Sequence, residues 1–282
     1  MENIIKTKLK GPLQEEANQS KSTLTGDLVI FENFPMPQFE DGRRRTIRVW
    51  TPPNYKKNGK ILYPVIYMHD GQNLFDDATS FAGEWHIDET ITALVEAKLS
   101  KGYIVVGIDN SERRLIEYLP AWDETLDAEG DLYGRFIVET LKPFIDSEFL
   151  TKVEKEYTMI AGSSMGGLIS FYIGLSYPEV FGKVGAFSPS FHMGKKQGRR
   201  AFIDSLEISE DMPRLYMDAG KKEKLYKDIK PVCRELRRAK YPRELIERVI
   251  EKDHGHNEQA WAIRFPYALK WLFSDFPGNY AE

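Results

Sequence analysis

The chain has 282 residues, of which 41% are hydrophobic and 29% are charged, a balance typical of a globular protein with a sizeable core. Its formal charge of −4 comes from 39 basic and 43 acidic residues, which gives no general attraction to nucleic acid or to membrane surfaces. No segment approaches the roughly 20 apolar residues of a membrane helix, and residues 1–22 lack the apolar core of a signal peptide. We therefore predict a cytoplasmic protein that binds neither nucleic acid nor membranes, and its oligomeric state is left open.

The predicted elements alternate regularly between strands and helices after the N-terminal segment. Residues 1–25 are predicted to be an irregular lead-in, and residues 26–282 a single domain. Two strands open this domain, and the alternation of polar and apolar residues in the second predicts an exposed antiparallel strand. The predicted strands are 27–32, 43–50, 63–68, 103–108, 157–160, 184–187, 214–217 and 245–250. The predicted helices are 84–99, 132–149, 168–175, 223–239 and 258–273, with breaks at Pro143 and Pro231.

The alternation of buried strands and amphipathic helices indicates the fold class. It predicts an α/β fold with a mostly parallel central sheet, antiparallel strands at the N-terminal edge and helices on both faces. Functional sites in such sheets form at the carboxyl ends of the parallel strands. The polar clusters of this chain lie at those predicted strand ends, so they are the candidates for chemistry.

The segment from Gly162 to Gly166 fits the pattern Gly-x-Ser-x-Gly, with Ser164 in the middle. It lies between a predicted buried strand and a predicted helix. This context is that of a nucleophile elbow, a sharp turn that raises a serine hydroxyl above the sheet. The pattern alone also occurs in ordinary glycine-rich turns. The hypothesis therefore depends on finding a base, an acid and oxyanion donors elsewhere in the chain.

A serine nucleophile needs a base, and histidine is suitable because its unperturbed pKa is about 6.5. Of the five histidines, only His254 and His256 follow the last predicted strand, from which a returning loop can reach the turn. We prefer His256, because Gly255 gives the loop freedom and the last helix begins just beyond. The acid that orients the imidazole is expected at a strand end between the serine and the histidine. Asp218 and Glu223 both qualify on spacing alone.

Two backbone N–H groups are expected to hold the oxyanion. One belongs to Met165, which follows the serine, and the other to Gln72, in the loop after the first buried strand. Gly71 permits the backbone turn that this loop requires. No cluster shows metal-ligand spacing, since the two histidines at 254 and 256 have no identifiable third ligand. We therefore predict neither a metal nor a cofactor.

Four segments resemble, in order, the motifs of the esterase-D-like family of α/β-hydrolases. They are residues 68–76, 162–167, 218–223 and 256–261, and the resemblance extends over residues 25–275. It implies an α/β-hydrolase fold, with Ser164 as the nucleophile, His256 as the base and Glu223 as the acid. The pair Lys221-Lys222 departs from the family pattern, in which a threonine often precedes the acid. Asp218 therefore stays an alternative.

The resemblance implies a serine carboxylesterase that works through an acyl-enzyme. The family includes feruloyl, acetylxylan and siderophore esterases and mycolyltransferases, so acetyl or feruloyl esters of carbohydrate are the expected substrates. The expected partner is thus a small-molecule or oligosaccharide ester. Acyl transfer and siderophore-ester hydrolysis are alternatives on the same triad, and a non-catalytic binding protein is an alternative of another class. Tyr118, Trp122 and Phe191 are candidates for lining the substrate pocket, although loop packing explains each of them equally well.

Overall fold

The computed structural model describes residues 4–11, 22–122 and 127–274. They divide into two compact units. The first unit contains the described residues of 1–111, 140–153 and 257–282, and the second contains those of 112–139 and 154–256. The prediction of a single domain over residues 26–282 stays a prediction.

The strands of the described ranges fall into two groups. They are β1 (Ile5–Lys10), β2 (Asp27–Pro35), β3 (Arg44–Thr51), β4 (Val65–His69), β5 (Ile104–Ile108), β6 (Thr158–Ser163), β7 (Lys183–Phe187), β8 (Arg214–Gly220) and β9 (Ile246–Glu251). The first unit holds the order β1-β2-β3-β5-β4, and the second holds the order β6-β7-β8-β9.

The direction of pairing separates the N-terminal strands from the rest. Strand β2 pairs antiparallel with β1 and with β3, and β3 pairs antiparallel with β5. Strand β4 runs parallel to β5, and β6 to β9 are all parallel to their neighbours. Every residue of β4, β5, β6 and β7 is buried, as expected for strands of a sheet that is covered on both faces. The predicted mostly parallel sheet with an antiparallel N-terminal edge is confirmed.

Two predictions for the N-terminal strands were wrong. The lead-in was predicted to be irregular, but Ile5–Lys10 forms the exposed strand β1 against β2. Strand β3 was predicted to be exposed, yet it lies between β2 and β5, and Ile47, Val49 and Trp50 have no exposed surface. Pairing on both sides satisfies the backbone of β3, and Ile47 and Val49 lie on the same face of the strand, which is buried.

The helices of the described ranges are α1 (Ile87–Glu96), α2 (Arg114–Glu117), α3 (Gly130–Arg135), α4 (Lys142–Glu148), α5 (Met165–Ser176), α6 (Lys196–Ser205), α7 (Tyr226–Arg238) and α8 (Glu258–Leu272). Most of them lie close to their predicted positions, but α2 and α6 were not predicted. None of these helices combines the length and the apolar character that crossing a bilayer requires.

The two predicted proline breaks had different outcomes. The helical stretch around Pro143 is divided into α3, a π-helical segment at Phe136–Leu141 and α4, with Pro143 in the first turn of α4. The break predicted at Pro231 was wrong, because α7 continues through this residue. A proline removes one backbone hydrogen bond, but the buried residues Ile229, Val232 and Leu236 pack one face of α7 and stabilise it across that point.

Candidate active site

Ser164 occupies a sharp turn between β6 and α5. Its φ of 58° and ψ of −120° lie in a region that favours glycine, so the backbone is strained at this serine. Two hydrogen bonds, one to the end of β7 and one to the loop after it, hold the turn. The Ser164 N–H donates to the Phe187 carbonyl at 2.9 Å, and the Ser190 N–H donates to the Ser164 carbonyl at 3.0 Å. The predicted strand–turn–helix context of Ser164 is therefore present.

The hydroxyl of Ser164 faces a second hydroxyl, that of Ser190, at 3.2 Å. Directly after Ser164, Met165 is the first residue of α5, where backbone N–H groups lack intrahelical partners. All residues from Met165 to Leu175 are buried, so α5 is a central helix held by packing on every side. The helix start is therefore fixed in direction relative to the serine.

His256 and Glu223 form the closest polar pair at this edge of the second unit. The distance from His256 Nδ1 to Glu223 Oε2 is 2.5 Å. The Glu223 side chain is almost fully buried, whereas 35% of the His256 side chain is exposed. The imidazole is thus partly accessible to solvent while its Nδ1 is held by a buried carboxylate.

The second oxygen of Glu223 is held as firmly as the first. Glu223 Oε1 accepts a hydrogen bond from Ser188 Oγ at 2.6 Å and one from the Gly220 N–H at 2.6 Å. Burial by itself raises the pKa of Glu223, but the bonds from His256, Ser188 and Gly220 outweigh it and hold the pKa below its usual value. The arrangement therefore favours the ionised carboxylate.

Asp218, the other candidate acid, is fully buried and has different partners. Its Oδ1 accepts from the Ser188 N–H at 3.1 Å, and its Oδ2 accepts from the Tyr216 hydroxyl at 3.0 Å. These bonds tie the end of β8 to the loop after β7. The described structure brings Glu223 to Nδ1 of His256.

Gly220 lets the end of β8 approach the loop that carries His256. A Cβ at this position would lie 1.9 Å from the carbonyl oxygen of His254, a distance that no side chain tolerates. The same carbonyl accepts a hydrogen bond from the Lys222 N–H at 3.1 Å. His254, the reserve candidate for the base, thus fixes the loop through its main chain.

Gln72 lies in the turn after β4, in the first unit. Its side chain exchanges two hydrogen bonds with Asn110, through Gln72 Nε2 at 2.8 Å and the Asn110 N–H at 3.1 Å. Asn110 Nδ2 also donates to Asp70 at 2.6 Å. At Gly71, a Cβ would lie 2.7 Å from the Gly107 backbone, so only glycine fits there. Gln72 and Met165 belong to different units, and their pairing as oxyanion donors stays a sequence-based prediction.

The three candidate pocket aromatics are buried in contacts with other aromatic rings. Tyr118 has no exposed surface and packs against Tyr133 at a ring distance of 5.2 Å. Trp122 packs edge-on against Tyr172 at 5.7 Å, and Phe191 packs edge-on against Phe171 at 5.0 Å. These contacts favour the packing alternative, most of all for Tyr118, and the substrate-binding role stays a prediction.

The loop after β7 contributes two residues whose roles the sequence analysis missed. Ser188 bonds the carboxylate of Glu223, and Ser190 contacts the hydroxyl of Ser164, so this short loop connects the two candidate catalytic side chains. The available signal was the position of Ser188-Pro189-Ser190 directly after a buried parallel strand. Arg199 holds the next residue of the loop by donating to the Phe191 carbonyl at 2.6 Å.

This combination of a parallel sheet and a strained serine at a strand-to-helix turn is that of the α/β-hydrolases. A family model described as "Putative esterase" matches residues 40–272, and the chain belongs to that esterase family.

Individual proteins are similar to this chain at low identity. The uncharacterized protein YbbA of Bacillus subtilis is 26% identical over 263 residues, which are 84% of this chain and 96% of YbbA. An endo-1,4-beta-xylanase/feruloyl esterase of Xylanibacter ruminicola is 29% identical over 166 residues, covering 54% of this chain and 20% of that protein. The solved enterobactin esterase FES of Shigella flexneri superposes with a TM-score of 0.67 at 21% identity, covering 83% of this chain and 56% of that one. This last likeness concerns the fold.

Proposed function

We propose that the protein is a serine carboxylesterase, with Ser164 as nucleophile, His256 as general base and Glu223 as the acid that orients the histidine. The observation that carries this proposal is the 2.5 Å contact between His256 Nδ1 and Glu223 Oε2, in the same unit as the strained Ser164 turn. A strained serine in the same unit as a histidine–carboxylate pair is an arrangement that ester hydrolysis uses and that a binding protein does not need.

The proposed reaction has two stages. Ser164 Oγ attacks the ester carbonyl while His256 takes its proton, and the same proton passes to the leaving alkoxide as the acyl-enzyme forms. Water then attacks the acyl-enzyme with His256 again as base, which releases the carboxylic acid and restores Ser164. The ionised Glu223 stabilises the imidazolium in both stages. The Met165 N–H and, from the sequence, the Gln72 N–H are the proposed donors to the oxyanion.

The proposal assigns the acid to Glu223. The Asp218 carboxylate accepts bonds from the Ser188 N–H and the Tyr216 hydroxyl, so its contacts serve the scaffold. Glu223 reaches His256 with one oxygen and is held by Ser188 through the other. A carboxylate fixed at both oxygens holds the imidazole in one orientation, which is the role of the third triad member.

For the substrate we propose acetyl or feruloyl esters of carbohydrate fragments. The similarity to a xylanase/feruloyl esterase over about half of this chain supports this class. Siderophore esters are the second candidate, since the fold also matches an enterobactin esterase. A direct comparison of kcat/KM on methyl ferulate, an acetylated xylo-oligosaccharide and a catecholate trilactone separates the two candidates.

The first test compares the wild type with Ser164→Ala on p-nitrophenyl acetate. We expect the wild type to release nitrophenol and the variant to fall to the uncatalysed rate. The exposed Ser205→Ala variant is the matched control and should keep full activity. Equal activity of the wild type and Ser164→Ala would remove Ser164 as the nucleophile.

Two further measurements separate the alternatives. Covalent labelling of Ser164 by a fluorophosphonate is expected for an enzyme and not for a non-catalytic binding protein. If labelling occurs, product analysis with added alcohols distinguishes hydrolysis from acyl transfer, because a transferase forms a new ester where a hydrolase forms the free acid.

A further inference from the structure

A cavity of about 370 Å³ lies between α7 and β9, in the second unit. Its walls carry four cationic side chains, the only cysteine of the chain and one aliphatic side chain. They are Lys230, Cys233, Arg237, Arg243, Ile246 and Arg248. Among the residues that the structure describes, no acidic side chain lines this cavity. It is called the arginine pocket below.

The periods of a helix and a strand explain why these side chains meet. Lys230 and Arg237 are two helical turns apart, so they lie on one face of α7. Ile246 and Arg248 are two residues apart in β9, so their side chains leave the strand on the same side. Arg243 lies in the short 3₁₀ turn that leads into β9. Three neighbouring segments thus bring four positive charges to one cavity.

The absence of counter-charges at the arginine pocket is an independent observation. None of the four cations forms an ion pair with a residue that the structure describes, although the chain has 43 acidic residues and 39 basic ones. Elsewhere in the same unit an arginine of α7 does pair, since Arg238 contacts Asp204 at 2.8 Å. Cations that share a cavity without a counter-ion repel one another. An anion bound among them removes this repulsion.

Local structural roles account for two of the four cations. Arg237 lies in the last turn of α7, where a positive charge faces the negative end of the helix dipole, and its Nε donates to the Cys233 carbonyl at 3.1 Å. A positive charge on an end strand such as β9 opposes pairing with another chain, which accounts for Arg248. Neither role explains why Lys230 and Arg243 line the same cavity.

We propose that the arginine pocket binds a small molecule that carries phosphate groups, with about the charge of a diphosphate. The planar guanidinium group donates two parallel hydrogen bonds to phosphate oxygens, and three of the four cations are arginines. A phosphate group carries about −1.5 to −2 charges at neutral pH, so two of them balance four cations in a small volume. The cavity volume also lies within the range of about 300–1,000 Å³ that is usual for small-molecule sites.

The arginine pocket is separate from the candidate active site. It includes Ile246, the first residue of β9, whereas His256 follows the other end of that strand, beyond Glu251. Phosphate binding is therefore a second function of the chain, and it does not depend on the proposed esterase activity. The sequence analysis missed the pocket because its four cations form no contiguous run.

The test is calorimetric titration of the full-length protein with pyrophosphate at constant ionic strength. We expect one equivalent to bind with a Kd below about 1 mM. A hydrogen bond to a charged group is worth about tenfold in affinity, so Arg243→Gln and Arg248→Gln should each weaken binding by about that factor. The double variant should not bind pyrophosphate. Both arginines are exposed, so the variants should fold.

Arg200→Gln is the matched control, because it removes an exposed arginine of α6 in the same unit and should leave binding unchanged. Citrate is the comparison ligand and should bind more weakly, because each of its carboxylates carries less charge than a phosphate group. The proposal is wrong if pyrophosphate does not bind at millimolar concentration, or if its binding survives in the double variant. It is also wrong if Arg200→Gln weakens binding as much as the pocket variants, or if citrate binds as tightly as pyrophosphate.

Cys233 provides a readout that is specific to the pocket. As the only cysteine of the chain, and one that is 7% exposed, it is the single thiol that the uncharged reagent N-ethylmaleimide can modify. We expect pyrophosphate to slow this modification by at least about fivefold in the wild type and in Arg200→Gln, and to leave it unchanged in the double variant. An unchanged rate in the wild type would place the bound pyrophosphate elsewhere and overturn the proposal.

Discussion

The hydroxyl of Ser188 lies 2.6 Å from Glu223 Oε1, on the carboxylate oxygen opposite the one that contacts the histidine. Ser188 is buried and has a positive φ of 43°, so the loop after β7 holds the hydroxyl in a fixed position. The Glu223 carboxylate is therefore hydrogen-bonded at both oxygens, by Ser188 at one and by His256 at the other. This relationship makes the loop after β7 part of the proposed mechanism.

Replacement of Glu223 by glutamine tests the assignment of the acid. Glutamine keeps the shape but loses the charge that stabilises the imidazolium, and the equivalent change in a serine protease triad lowers kcat by roughly 10⁴-fold. We expect Glu223→Gln to approach that loss on p-nitrophenyl acetate. Asp218→Asn should cost stability in urea unfolding but keep most of the activity. The reverse pattern would transfer the acid role to Asp218.

Ser188 is predicted to be a positioning residue. Hydrogen bonds to charged groups contribute about 1.5–3 kcal/mol, and each 1.4 kcal/mol is tenfold in rate, so Ser188→Ala should lower kcat by about 10- to 100-fold with little change in KM. The lost bond should also raise the pKa of Glu223 and move the acidic limb of the pH–rate profile upwards. An unchanged pH profile in Ser188→Ala would contradict the prediction.

Gly220→Ala tests the close approach between β8 and the histidine loop. The added methyl group meets the His254 carbonyl oxygen at 1.9 Å, so the loop that carries His256 has to move. We expect a destabilisation of about 1–3 kcal/mol, typical of overpacking, together with a loss of esterase activity. Gly42→Ala is the control: its positive φ of 69° gives backbone strain without a close neighbour, so it should lose stability alone.

Asp88 is predicted to make the protein less stable in alkali. Burial, followed by the charge of Glu89, raises the pKa of Asp88 to about 9, against about 3.9 in an unfolded chain. Between these values the folded state keeps a proton that the unfolded state has lost. The free energy of unfolding should then fall as pH rises, by at most about 1.4 kcal/mol per pH unit.

Asp88→Asn should remove this part of the pH dependence. The measurement is urea unfolding between pH 5 and pH 9. The exposed Asp204→Asn variant is the control and should follow the wild type. A wild-type stability that is flat over this range would contradict the prediction.

Local patterns were enough to predict most of the elements and the turn at Ser164. The glycine spacing of the turn and the apolar runs of β4, β5 and β6 are properties of adjacent residues, so they can be seen without any tertiary contact. Strand β1 was missed because all its residues are exposed and its pairing with β2 spans about twenty residues of chain. Likewise, the continuity of α7 through Pro231 depends on packing.

The sequence by itself determined the α/β class, the strained serine turn and the short set of polar residues at the strand ends. It left Asp218 and Glu223 equal on spacing, because both follow the same strand. Only the tertiary structure decided which carboxylate meets His256, since that depends on the close approach permitted at Gly220. The hydrogen bond from Ser188 to Glu223 likewise depends on tertiary contacts. Side-chain contacts between distant segments depend on the packing of the whole sheet, and no local pattern encodes them.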